Sequence, residues 1–128
     1  MVEEKLKLRL AGGRGAPARA RRALAGLNGS LAGLAEPVRL LVSELVTNSV
    51  LHARAGPEVP IELELTASPE RVRVEVCDPG PGFQPRTAGP EPNGFGLMLV
   101  ECLADRWGVD PGGRSRVWFE IDRRSAAA

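Results

Sequence analysis

Polar and apolar residues alternate strictly in Lys5-Leu6-Lys7-Leu8-Arg9-Leu10, the period of a half-buried strand with its three leucines turned one way. Gly12 and Gly13 end that run. From Ala16 to Leu34, alanine and leucine mix with Arg19, Arg21 and Arg22, which predicts a helix whose second half is weakened by Gly26, Gly29 and Gly33. Glu36-Pro37 opens a stronger helix, since proline is tolerated in a first turn and an acidic side chain suits the positive end of the dipole. It is expected to run to about Ala53, and it is apolar around most of its circumference, as a helix packed into a core must be.

Beyond the break at Gly56-Pro57 the period returns to two. Ile61-Glu62-Leu63-Glu64-Leu65 and Val72-Arg73-Val74-Glu75-Val76 flank Ser68-Pro69-Glu70 and predict a hairpin. Residues 79–94 are rich in proline and glycine and read as a long irregular loop of the kind that forms a lid or binding loop. Helical periodicity resumes from Leu97 to Ala104. Arg106-Trp107-Gly108-Val109 and Arg116-Val117-Trp118-Phe119-Glu120-Ile121 then predict two strands about Pro111-Gly112-Gly113, and Ser125 to Ala128 form a tail. No repeat divides the chain, so one domain over residues 1–128 is expected, an α/β sandwich with a mixed, mostly antiparallel sheet and its helices on one face.

Within that frame three features carry chemistry. Glu44 and Asn48 stand at i and i+4 of the long apolar helix, so they project from one side of it. A carboxylate there can take a proton from a hydroxyl or water while a carboxamide oxygen ligates a hard cation. Flanked by Leu40, Leu41 and Leu51, the pair is better explained by a cleft than by bulk solvent. Asp78-Pro79-Gly80-Pro81-Gly82 follows a strand, offering an acceptor for an exocyclic amine such as that of adenine on a backbone a flat ring can approach. Gly94-Phe95-Gly96-Leu97 precedes a helix, whose free N-terminal amides and dipole suit phosphate.

Composition trims the alternatives. The chain has 128 residues, 43% of them hydrophobic, enough for one core. A formal net charge of +1 gives no long-range field toward nucleic acid or an anionic membrane, so neither is expected as a partner. Two cysteines, Cys77 and Cys102, lie outside any close Cys/His cluster of the zinc-binding kind and read as reduced thiols. With no spanning-length apolar stretch and no signal-peptide pattern at Met1-Val2-Glu3-Glu4-Lys5, a cytoplasmic protein is expected.

The segments Ser43 to His52, Val74 to Phe83 and Gly94 to Val109 resemble the N box and the two glycine boxes of the histidine-kinase-like (GHKL) ATPase superfamily. The likeness is greatest to the small bacterial anti-sigma-factor serine/threonine kinases, and it extends through Ala104-Asp105-Arg106-Trp107-Gly108-Val109 and Val117-Trp118-Phe119-Glu120. The resemblance implies a Bergerat-type ATP-binding fold with ATP and Mg2+ as ligands. It implies Glu44 as general base, Asn48 as magnesium ligand and Asp78 as acceptor of the adenine amine. Gly80 and Gly82 would lie against the adenine. Gly94, Phe95, Gly96 and Leu97 would form the lid hinge and meet the phosphates, while Ser115 is the nearest equivalent of a threonine that assists the adenine aspartate. Relatives suggest a homodimer that binds a sigma factor and phosphorylates a small antagonist protein, thereby regulating transcription.

This chain departs from that pattern at the second glycine box. Where relatives often carry a basic residue, it has Pro92, Asn93 and Phe95, leaving Arg86 as the only cation of the 79–94 loop. Phosphoryl transfer depends on neutralising the migrating charge, so a module that binds ATP or ADP and switches a protein partner without chemistry is the alternative. The catalytic half of a sensor histidine kinase fits less well, because the length leaves no room for a separate phosphoacceptor helix pair. Plainer roles suit the remaining residues: His52 near a helix C-terminus, Arg19, Arg21 and Arg22 on a solvated face, Trp107 and Trp118 packed in or beside the sheet, and Cys77 as a small strand residue.

Overall fold

A computed structural model describes residues 3–27, 29–52, 60–78, 95–111 and 115–123. The elements run β1 (Glu4–Ala11), α1 (Ala16–Ala25), α2 (Ala35–His52), β2 (Pro60–Ala67), β3 (Arg71–Asp78), α3 (Phe95–Leu103), β4 (Arg106–Pro111) and β5 (Ser115–Asp122). The five strands form one sheet in the order β1-β2-β3-β5-β4, and every pairing in it is antiparallel. This is the α+β arrangement expected, at the wholly antiparallel end of a mixed sheet.

Register follows from the alternating side chains. Leu8 faces Leu63, Leu63 faces Val76, Val76 faces Val117 and Val117 faces Val109, so one apolar row crosses all five strands. A second row runs through Leu6, Leu65, Val74, Phe119 and Trp107. A slip of one residue would turn every one of these side chains to the opposite face. The helices cover this inner face: α2 packs on α1, α3 and β3, and α3 also reaches β4. Val38, Leu41, Val42, Leu45 and Val46 of α2 are buried there with Leu24 of α1, Leu31 and the sheet residues.

Two elements differ from the sequence reading. The first helix stops at Ala25, where the Gly26 amide donates to the Ala23 carbonyl and the Leu27 amide to that of Leu24. Residues beyond it form turns in which Gly33 adopts φ +85°, a backbone region that side-chain-bearing residues rarely enter. The third strand runs through Asp78, so this aspartate is itself a strand residue, paired with Ser115.

Charge organises the opposite face of the sheet. Glu120 lies between two cross-strand arginines, accepting from Arg73 at 2.9 Å and from Arg106 at 2.7 Å. Arg106 also pairs with Asp122, which Arg71 reaches at 3.3 Å. The Arg73 guanidinium stacks 4.5 Å from the centre of the Trp118 ring. That indole spans the next strand, since a Cβ added at Gly108 would lie 2.9 Å from it. A residue larger than glycine at 108 therefore cannot sit beside this tryptophan unmoved.

The Arg106 hydrogen bond, with help from Arg73, holds the Glu120 carboxyl below its ordinary 4.5, and Arg106 with Arg71 holds Asp122 below 3.8. A carboxylate whose pKa is lowered by folding contributes stability that is complete above its ordinary value and lost as pH falls through the folded one. Acidification below about pH 4.5 should therefore lower the melting temperature. In Arg106→Gln the difference in melting temperature between neutral and acid solution is expected to shrink; an unchanged difference would show that the pairs do not couple to folding. On the other face, Phe119→Ala is expected to cost about 3–5 kcal/mol in denaturant unfolding, the usual penalty for emptying a fully buried aromatic position.

Candidate functional site

The long helix α2 supplies the first two residues that the sequence picks out. Its buried stripe runs through Val38, Leu41, Leu45 and Asn48, so the Asn48 carboxamide occupies a position that the helix otherwise gives to core side chains. Only 5% of Asn48 is exposed, and its Nδ2 has no hydrogen-bond partner among the described residues. Leaving such a donor unsatisfied costs about 1–3 kcal/mol, so a native fold that keeps it calls for an explanation. Glu44, one turn earlier, is half-buried at the margin of the same stripe, and Ser49 is buried just beyond Asn48.

The sheet supplies the third residue. Asp78 closes β3, the strand on which α2 packs, and only 2% of it is exposed. It lies in the inward register of Val74 and Val76, whereas its neighbour Cys77 faces the charged side of the sheet near Arg116. Antiparallel pairing sets Asp78 opposite Ser115 at the start of β5, so the two residues proposed for adenine are brought together as cross-strand neighbours.

The third helix is described from Phe95, two residues earlier than the apolar period suggests, so Phe95, Gly96 and Leu97 are helical. It packs against α2. Gly80, Gly82, Gly94 and Arg86 lie outside the described residues, as does the side chain of His52. Trp107 is partly buried against the core and donates its indole N–H to Glu101, while Trp118 belongs to the charged face.

The donor set accommodates a magnesium nucleotide. Among the described residues no cluster of three or more His, Cys, Asp or Glu side chains could hold a metal ion by itself. A magnesium nucleotide brings phosphate oxygens and water of its own, so a protein adds only one or two oxygens to its cation. The orphaned Asn48 amide suits such a site, because one rotation of its plane offers either an oxygen to a cation or an N–H to a phosphate.

One contact escaped the sequence reading. Arg21 of α1 donates from Nη1 to Ser43 Oγ at 2.7 Å, joining the first helix to the residue just before Glu44. No periodicity signals it, since it depends on how α1 crosses α2.

Comparison with known proteins agrees with this arrangement. The family model described as the histidine kinase-like ATPase domain matches residues 11–119. An uncharacterized protein of Streptomyces coelicolor is 35% identical over 80 residues, covering 59% of this chain and 74% of that protein. Among the described residues no helix is long and apolar enough to cross a membrane.

Replacing Asn48 by leucine separates ligand binding from folding. Removing the unpartnered donor is expected to leave the ligand-free melting temperature unchanged or higher, while abolishing most of the upward shift given by Mg-ATP or Mg-ADP. A variant that keeps the full nucleotide-dependent shift would remove Asn48 from the site.

Proposed function

Because the chain belongs to the histidine kinase-like ATPase domain family, we infer that it is an ATP-dependent serine/threonine protein kinase of the anti-sigma-factor type. Its partners on this reading are a sigma factor and a small antagonist protein that is the phosphate acceptor. The reading is carried by one observation: a carboxylate at Glu44 and a buried carboxamide at Asn48, whose Nδ2 has no hydrogen-bond partner among the described residues, share one side of a helix laid on the strand that ends in Asp78.

Each residue has a task under this reading. The Asp78 carboxylate accepts from the adenine amine, with Ser115 paired to it in the strand ladder. Asn48 contributes its amide oxygen to the cation. When bound at Asn48, magnesium would offset charge on the phosphate oxygens of ATP, the phosphoryl donor. Glu44 takes the proton of the acceptor serine as that oxygen bonds to phosphorus and the bond to the β–γ bridging oxygen breaks, releasing ADP. Gly94, Phe95, Gly96 and Leu97 hold the phosphates at the start of α3, and Gly80 and Gly82 let the purine lie against the backbone.

A second reading is supported by the scarcity of cations in residues 79–94, where Arg86 stands alone. There the chain binds ATP or ADP and changes its grip on a partner without transfer. Glu44→Gln distinguishes the two. In assays with labelled ATP and a small serine-bearing antagonist protein, this variant is expected to lose about 10²- to 10⁴-fold in phosphoserine formation while binding nucleotide within a few-fold of the parent. If the parent protein transfers no phosphate to any candidate yet binds Mg-ATP tightly, the kinase reading fails and the switching module stands.

A further inference from the structure

Several arginines of this protein are tied to carboxylates and others are not. Arg71, Arg73, Arg106 and Arg116 on the charged sheet face each pair with carboxylates. Among the described residues, no salt bridge engages Arg21, Arg22 or Arg39. These three line one groove of about 670 Å³ between α1 and α2, with Glu36, Leu40 and Ser43. Three arginines against one glutamate leave that lining with a net charge of +2, larger than the +1 of the entire chain. Leu40 lies among them 42% exposed, one of the few large apolar side chains left in solvent.

Three guanidinium groups that outnumber the groove's one glutamate, and that form no salt bridge among the described residues, surround an exposed leucine and are complementary to something outside the chain. We propose that the α1/α2 groove docks a protein partner through a segment carrying carboxylates beside an apolar side chain. The carboxylates pair with Arg21, Arg22 and Arg39, and the apolar group covers Leu40. A polyphosphate backbone fits less well, because it gains nothing from Leu40 and meets Glu36 in the groove.

The groove is also placed to matter for the site. Ser43, held by Arg21, directly precedes Glu44, and Leu40 stands one helical turn before Glu44 on the same side of α2. An occupant therefore lies beside the carboxylate proposed to receive the acceptor's proton. This last point rests on the kinase reading, whereas the docking itself does not, so it is measured without nucleotide.

The probe is a fluorescein-labelled acidic peptide with leucines among its glutamates, titrated with the full chain at low salt and followed by anisotropy. Saturable binding is expected, weakened about tenfold by the Arg22→Glu/Arg39→Glu double variant and weakened also when serine replaces the peptide leucines. Absence of saturation, equal affinity in the double variant, or equal binding of an oligoglutamate or an oligothymidylate of matched charge would overturn the proposal. Melting curves and a Mg-ATP titration of each variant establish that it is folded, and Arg39→Gln, expected to weaken the peptide by a smaller factor, serves where the double variant is not. Loss of peptide binding with intact nucleotide binding, or the reverse, tells the two readings apart.

Discussion

The packing of α2 onto the inner face of the sheet is the interaction from which the rest of the structure follows. The helix buries Val38, Leu41, Val42, Leu45 and Val46 against strands whose own inward residues include Val74, Val76 and Phe119. An apolar seam of this kind fixes the rotation of the helix about its axis, because turning it would put these side chains in water. Once the rotation is fixed, so is the fate of every polar residue in the same repeat. Asn48 shares the stripe of Leu41 and Leu45 and is buried with them, while Glu44 is left at the margin. The residues proposed for chemistry are thus held by the same contacts that hold the fold, and α2 carries one donor, Asn48 Nδ2, that is unsatisfied among the described residues.

The two faces of the sheet divide the remaining work. Inward positions are apolar until the end of β3, where Asp78 interrupts the pattern opposite Ser115. Outward positions carry paired charges, a stacked arginine and tryptophan, and a glycine that makes room for the indole. These exposed pairs act mainly as a soluble, register-reading surface, since such pairs contribute little individually but penalise any offset that sets like charges opposite one another.

Elements with strong periods were legible in the sequence for a physical reason: alternation in Lys5 to Leu10, Ile61 to Leu65 and Val72 to Val76 reflects a sheet wet on one face. The apolar helix with Glu44 and Asn48 was legible because burying polar groups within such a run is unusual. Composition could not give the end of α1, which depends on where three glycines let the chain turn, nor the placement of Asp78 inside β3, which depends on pairing with a strand almost 40 residues later. The Arg21 to Ser43 bond was equally hidden, because two helices must cross before those atoms meet. Family resemblance suggested roles for Asp78 and Ser115; their adjacency belongs to the sheet.

The strand order carries a kinetic implication. β2 and β3 are joined by a short turn in which Ser68 Oγ accepts from the Arg71 amide at 3.1 Å, so this pair can zip from its own end. β1 is neighbour to β2 in the sheet yet separated from it along the chain by both α1 and α2. Its pairing must wait for a long excursion to close, and that closure entropy grows by only about 0.6 kcal/mol for each doubling of length. The topology therefore makes β1 a late strand to dock, while leaving the span between it and its neighbour tolerant of extra residues.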